Sequence, residues 1–328
     1  MTKGKLIKFL GGKLSGKNSS AILYSDRSTG RSPMNLLDIE EHNEIYLEIA
    51  NGGDSYKGML TGMLGGMSGL MFLCISAYFL WHGRYQPALE VLLIAISLFI
   101  VPFLWEVLRS VPPPILFNRR TREVYFQHDE ELFHTPWDGI AAVAYQFQMV
   151  GPYTGDMRHA SLEILVQCFC HPEKQLMLSL GLPMGKSLEL QESSWEYLRA
   201  YMNNGPWFDE HGRHSESDAF IKSQLEISGS GTKLFKNTWE RIFTEYKRND
   251  GKNFLDFADF YLLIMGILFS PMNTIQEFTY NVAKRRSRKL WPKLVMERLE
   301  PNGPTTRLID IEQKKNLEQQ RQSPEKPD

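Results

Sequence analysis

One stretch, residues 58–108, dominates the hydrophobic pattern of this chain. Gly58 to Trp81 carries no charged residue, and Pro87 to Leu108 carries only Glu90 and Glu106, one near each end. A short polar turn, His82-Gly83-Arg84-Tyr85-Gln86, separates the two runs. About 20 apolar residues suffice to cross the hydrocarbon core of a bilayer, and both runs reach that length. Neither keeps the polar stripe of a helix on the surface of a soluble domain. The pattern predicts a transmembrane helical hairpin over 58–108. Tyr78, Trp81, Tyr85 and Trp105 stand at its ends, where such rings favour the headgroup level.

Outside the hairpin the period shortens. Leu6–Leu10 and Ala21–Tyr24 read as short strands, and 43–50 as a short strand or an interfacial segment. Val111-Pro112-Pro113-Pro114 stops the second span. Ile115 to Phe126 then reads as a β-hairpin, two apolar strands around a polar turn. Further strands are expected at Ala141–Met149, Ser161–Cys170 and Gln175–Leu180. A helix follows over Leu188–Met202, with Trp195, Leu198 and Tyr201 at helical spacing, and Asn203-Asn204-Gly205-Pro206 ends it. About five antiparallel strands closed by one helix is the element order of pleckstrin-homology-like domains, an analogy of order alone. Phe235–Lys247 reads as a helix with Trp239, Ile242, Phe243 and Tyr246 in a stripe. Phe254–Phe269 is strongly apolar but holds Asp256 and Asp259. Its charge-free part is too short to span, so a buried helix ending at Pro271 is expected, with a segment lying against the bilayer as the alternative. The fold class is an α+β membrane protein. Its parts are an N-terminal segment 1–57, the hairpin 58–108, a β-rich domain 111–206, a helical region 233–300 and a disordered tail 301–328.

Charge orients this arrangement. Lys57 precedes the hairpin and Arg109, Arg119, Arg120 and Arg122 follow it, whereas the turn holds only Arg84. Basic residues stay on the cytoplasmic side, so both termini are expected in the cytoplasm. Lys3, Lys5 and Lys8 are not followed by the apolar core of a cleaved signal peptide. A net charge of -1 over 328 residues argues against a nucleic-acid partner. Three cysteines are too few for a disulfide framework and fit a reducing compartment. Gly62 and Gly66, like Gly65 and Gly69, stand in a GxxxG relation. That spacing lets helix backbones approach closely, within the hairpin or across a dimer face. Lys284, Arg285, Arg286, Arg288, Lys289 and Lys293 surround Trp291. Contact with anionic lipid headgroups competes there with a plain solvated helix face.

Catalytic chemistry is harder to find. Gly11–Asn18 nearly fits a phosphate-binding loop, but Asn18 stands where the metal-binding hydroxyl belongs, and a flexible turn is the better reading. In Cys168-Phe169-Cys170-His171 the two cysteines would share one strand face and the histidine the other. His211 and His214 lie in a polar loop without further ligands at a confirming spacing, and Asn249–Asn253 lacks the alternating carboxylates of a calcium loop. There is no GxSxG, HExxH or dinucleotide fingerprint. The expectation is a non-enzymatic protein with no catalytic residues, no metal and no cofactor.

Phe117-Asn118-Arg119-Arg120-Thr121-Arg122-Glu123-Val124-Tyr125, then Trp137-Asp138, then Trp195 to Pro206 (WEYLRAYMNNGP) carry a resemblance. Over roughly residues 40–300 the chain resembles a family of bacterial two-span inner-membrane proteins found in type VI secretion and polymorphic-toxin loci. The motifs say nothing of catalysis, and no functional residue carries over. The resemblance implies a membrane-resident immunity or accessory protein that binds an antibacterial effector. Two alternatives come from other classes: a membrane-tethered lipid-sensing or scaffold domain, and a membrane-active toxin. The expected partners are membrane lipid and an effector protein.

Overall fold

The computed structural model describes residues 19–50, 57–111, 113–151, 155–183, 185–227, 231–248, 257–288 and 290–322. The chain divides into two units. A helical unit is built from 57–111 and 231–288, and a sheet unit from 19–50, 113–227 and 290–322. The expected division into consecutive regions is therefore corrected. The N-terminal segment supplies strands to the sheet unit, and the region 233–300 is shared between both units. The expected strand Leu6–Leu10, the loop Gly11–Asn18 and the turn Asn249–Asn253 lie outside the described residues.

In the helical unit, α1 (Met59–Trp81) and α2 (Tyr85–Leu108) are each long and apolar enough to cross a membrane. At 1.5 Å per residue each is about 35 Å long, against about 30 Å of hydrocarbon. They pair antiparallel. Glu106 meets the start of α1, Phe99 lies against Gly65, and the Ser76 hydroxyl donates to the Ala88 carbonyl at 2.8 Å. Only 22% of the most apolar window of each helix is buried inside the molecule. Val101, Leu108 and Leu89 point outward, and contiguous apolar surface of this kind marks an interaction site.

Two more helices complete this unit, α5 (Gly231–Arg248) and α6 (Phe257–Ser287). α6 runs antiparallel to α1: Gln276 lies at Gly58, and Met272 at Gly62 and Gly66. Phe278 stacks on Phe103 at 5.9 Å, and Phe103 on Phe99 at 5.5 Å. The expected end at Pro271 is corrected, because α6 passes through it. Proline removes one backbone donor, but packing against neighbouring helices holds such a helix together. The expected burial of this segment is corrected too. Phe257, Ile267 and Leu268 are exposed, since the neighbours of α6 cover only one side of its first half.

The sheet unit contains nine strands among the described residues, all antiparallel. They are β1 (Ser19–Tyr24), β2 (Ile39–His42), β3 (Tyr46–Ile49), β4 (Ile115–Asn118), β5 (Glu123–His128), β6 (Glu131–Pro136), β7 (Ala141–Gly151), β8 (Gly155–Cys168) and β9 (His171–Ser179). The order is β1-β7-β8-β6-β5-β4-β3-β2, with β9 on the other edge of β8. Asp129 and Glu130, both at positive φ (46° and 68°), form the two-residue turn between β5 and β6. That mirror-image turn matches the twist of the paired strands.

The helix α3 (Leu188–Asn204) follows the sheet. Ser187 caps it by accepting from the Leu190 amide at 3.3 Å. Its stripe Trp195, Leu198 and Tyr201 is fully buried, and Trp195 meets Trp137 with ring centroids 5.2 Å apart. Burying rings of this size supplies much of the core's stabilisation, at about 25 cal/mol per Å² of apolar surface. α4 (Ala219–Ile227) adds Ile221 to the same core. The expected disordered tail is corrected. After α7 (Lys293–Leu299) the chain forms α8 (Leu308–Gln322), with Leu308 fully buried and Glu312 5% exposed. A few buried contacts and a capped first turn hold a helix whose overall composition is polar. Residues 323–328 lie outside the described residues.

Candidate membrane-contact site

Basic side chains from three segments gather at one end of the helical unit. Val111, at the exit of α2, forms a parallel bridge with Arg288, and Val107, Val111 and Ala283 share an apolar cluster. This brings Lys284, Arg285, Arg286 and Arg288 beside the end of α2. Lys57 donates to the Arg109 and Ser110 carbonyls at 2.7 and 3.0 Å, so it belongs to the same end. The Arg109 guanidinium stacks over the Trp105 ring at 4.3 Å. Arg285 and Arg286 are exposed. Six cations stand beside a belt of exposed apolar side chains, a pairing of positive charge and apolar surface that suits an anionic headgroup layer.

The sequence-predicted basic residues divide. Lys284, Arg285, Arg286 and Arg288 belong to this collar. Lys289 lies outside the described residues. Lys293 opens α7 in the sheet unit, with its side chain 91% exposed and 3.9 Å from Glu297.

The four glycines divide as well. A Cβ at Gly62 would stand 2.6 Å from the Met272 carbonyl oxygen, and one at Gly66 would stand 2.8 Å from the Met272 Cα. This pair receives α6. A Cβ at Gly65 would stand 2.7 Å from Phe99, and Gly69 lies in contact range of Ala95. That pair receives α2. The stretch Gly62–Gly69 runs as a π-helix, a widened turn that brings both pairs into register with their neighbours.

Glu106 is the structural cap of α1. It is 5% exposed and accepts from the amides of Gly58, Leu60 and Thr61 at 3.0, 3.3 and 3.0 Å, and from the Thr61 hydroxyl. A helix start leaves backbone donors unpaired, and a carboxylate there also meets the positive end of the helix dipole. A lone carboxylate near the end of an apolar run was the available signal.

The densest polar chemistry in the sheet unit is sealed. His134 lies between Glu123 and Glu312, at 3.5 and 3.3 Å, and all three are buried. Glu123 accepts from the amides of Leu308 and Ile309 at 2.8 and 3.1 Å and from the Tyr125 hydroxyl at 2.9 Å. Glu312 accepts from the Cys170 amide and the Gln167 side chain. Burial and the Glu123 charge push the Tyr125 phenol far above its ordinary range, so it remains a donor. All three groups of this carboxylate–imidazole–carboxylate array are buried, and Glu123 fastens the start of α8.

His42 is half-buried against the rings of Tyr201, Trp207 and Tyr197. Burial, with the Arg119 charge adding to it, lowers its imidazole to about 4, so it is neutral at pH 7.

The run Cys168-Phe169-Cys170-His171 forms the turn between β8 and β9. Cys168 is buried in the sheet, Cys170 sits at φ 68°, and His171 is exposed. His211 lies 3.6 Å from Glu210, and the His214 ring is 3.1 Å from the Asn204 carbonyl. Among the described residues no group of three or more His, Cys, Asp or Glu is placed to hold a metal ion.

The motifs Phe117–Tyr125, Trp137-Asp138 and Trp195–Pro206 meet in space. Arg122 pairs with Asp138 at 2.7 Å and reaches the Met202 carbonyl and the Asn203 side chain. Trp137 donates to Asn203 at 2.8 Å. Asn118 donates to the Arg298 carbonyl at 3.0 Å, and Arg120 reaches the carbonyls of Glu300 and Gly303. Their shared spacing ties the strands to α3 and to the C-terminal segment. No family model, curated protein or solved structure matches the chain.

Proposed function

We propose that this chain is a non-enzymatic protein of a bacterial inner membrane, with both termini cytoplasmic, that acts as the immunity or accessory protein of a type VI secretion or toxin effector by binding it. The observation that carries the membrane part is the basic collar. Cations from three segments stand at one end of two helices that are long and apolar enough to span and expose apolar side chains along their length. A bilayer solvates such a surface, and positive charge at one end sets its orientation. The effector part rests on the resemblance of the Phe117–Tyr125, Trp137-Asp138 and Trp195–Pro206 motifs. Their side chains serve as structural ties, and the Glu123–His134–Glu312 array is sealed, which supports binding over catalysis. In this reading the sheet and α3 form a pleckstrin-homology-like platform for the partner. The test is survival of a sensitive bacterium that expresses the neighbouring gene's product. Rescue by this chain is expected, and equal killing with and without it, with the chain shown to be in the membrane, overturns the proposal.

The collar also favours a second reading, a membrane-tethered lipid-sensing or scaffold domain. Neutralising Arg285, Arg286 and Arg288 would then abolish any preference of the reconstituted protein for anionic lipid. An unchanged preference removes this reading.

A further inference from the structure

The helices α5 and α6 carry an apolar surface that the spans do not use. On α6, Phe257, Phe260, Tyr261, Ile264, Ile267 and Leu268 recur at spacings of three and four, which places them on one face. Each is at least 44% exposed, and Phe257 reaches 82%. On α5, Trp239, Phe243 and Tyr246 form a second stripe, 53%, 51% and 47% exposed, beside the buried Ile242. Large rings on a helix that also carries Lys236, Glu240, Arg241, Lys247 and Arg248 make the composition of a helix lying in a membrane interface.

Two observations say what covers this surface. The first is continuity. α6 cannot separate from the spans, because its Met272 backbone fills the space left by Gly62 and Gly66. Close backbone contact of this kind holds helices together in lipid. The residues before Met272 extend from that contact toward Phe257, away from Arg288 and the collar. The second is charge placement. The buried Asp259 of α6 is paired with Arg241 of α5, so the carboxylate nearest the apolar stripe is neutralised by its neighbour helix. Lys247 lies over the Phe243 ring at 4.6 Å, its cation at the rim of the aromatic stripe. The cations of α5 forbid a full crossing, since charged side chains are costly in hydrocarbon.

We propose that α5 and the first half of α6 lie in the membrane interface as a lipid-binding pair: their aromatic and aliphatic faces enter one leaflet, and the cations of α5 stay at the headgroups. This inference rests on the reading that α1 and α2 span a bilayer. The pair makes the helical unit a wedge in one leaflet, with α5 at headgroup depth.

The test uses the full-length chain in liposomes of phosphatidylethanolamine and phosphatidylglycerol, with the native cysteines replaced and one nitroxide-labelled cysteine at a time. Ile264→Cys and Ile267→Cys report on α6, and Phe243→Cys on α5. Leu93→Cys, exposed on α2, reports on the spans, and Glu226→Cys, exposed on α4, on water. Collision with oxygen rises in acyl chains, and collision with a water-soluble nickel chelate falls there. The expected result is an oxygen preference at positions 264 and 267 of the same sign as at Leu93 and several-fold above that at Glu226, with position 243 between them. Nickel access at 264 and 267 equal to that at Glu226, while Leu93 stays lipid-exposed, overturns the interfacial pair alone. Nickel access at Leu93 itself overturns the spanning reading. Low collision with both reagents plus dipolar broadening means that a second copy covers the stripe, which also overturns the proposal. Phe260→Cys and Leu268→Cys repeat the reading should one variant fail to fold.

Discussion

Two buried glutamates, one in each unit, cap helices to which they do not belong. Glu106 of the helical unit receives the first amides of α1, and Glu123 of the sheet unit receives the first amides of α8. The physical need is the same, unpaired donors at a helix start. The surroundings differ. Glu106 is completed by the Thr61 hydroxyl and stands among apolar side chains and glycines that interlock by shape. Glu123 is completed by Tyr125 and lies beside His134, which leads on to Glu312. The helical unit is thus held mainly by close packing, with Glu106 and the Asp259–Arg241 pair as its buried charges, and the sheet unit by a cluster of buried charged groups around an aromatic core. The first should be sensitive to side-chain volume, the second to charge and pH.

Substitutions can break that contrast, beginning with the largest expected effect. Glu123→Leu leaves His134 and the Tyr125 hydroxyl without this buried partner and uncaps α8. A broken buried network costs about 3–5 kcal/mol, read as a lower midpoint for the sheet unit in urea and as faster tryptic cleavage at Lys314 and Lys315. Glu106→Leu leaves the amides of Gly58, Leu60 and Thr61 unpaired and should cost about 2–3 kcal/mol, read by SDS titration of helicity, with the sheet unit's midpoint unchanged. Gly66→Leu overfills the contact with Met272 and should cost about 1–3 kcal/mol. It frees α6 for proteolysis, again without moving the sheet unit. If Gly66→Leu instead lowers the sheet unit's midpoint as much as Glu123→Leu does, the contrast fails.

The smallest effect concerns His42. Its folded value of about 4 lies below the ordinary 6.5, so between these values the unfolded chain binds the extra proton. Stability from this residue is complete above about pH 6.5 and falls as pH drops toward 4. The loss should be about 1–2 kcal/mol once partial exposure is discounted. His42→Phe should flatten that part of the stability-versus-pH curve, and an unchanged slope would show that His42 does not titrate this way.

Some of this was legible in the sequence. The apolar runs fixed the hairpin because long uncharged segments have few alternative uses. The stripe Trp195, Leu198 and Tyr201 located α3 and its buried face. The GxxxG pairs signalled close approach but could not identify the partners, since Gly62 and Gly66 meet a helix two hundred residues away in sequence. The polar tail concealed α8, because a helix capped by a distant glutamate and anchored by Leu308 leaves little periodicity. The exposure of α6 was not legible, because apolarity alone does not choose between a buried helix and a segment lying against the bilayer. Glu123 sits among charges in Asn118–Glu123 and gave no sign that it is buried.

The most direct measurement of the central claim is sidedness. Full-length, otherwise cysteine-free protein carries either Gln86→Cys in the turn between the spans or Arg285→Cys in the basic collar. Spheroplasts are treated with a membrane-impermeant maleimide. The account predicts labelling of position 86 in intact spheroplasts and of position 285 only after permeabilisation. Labelling of both before permeabilisation, or of neither, would contradict a hairpin that crosses the bilayer with its basic end inside.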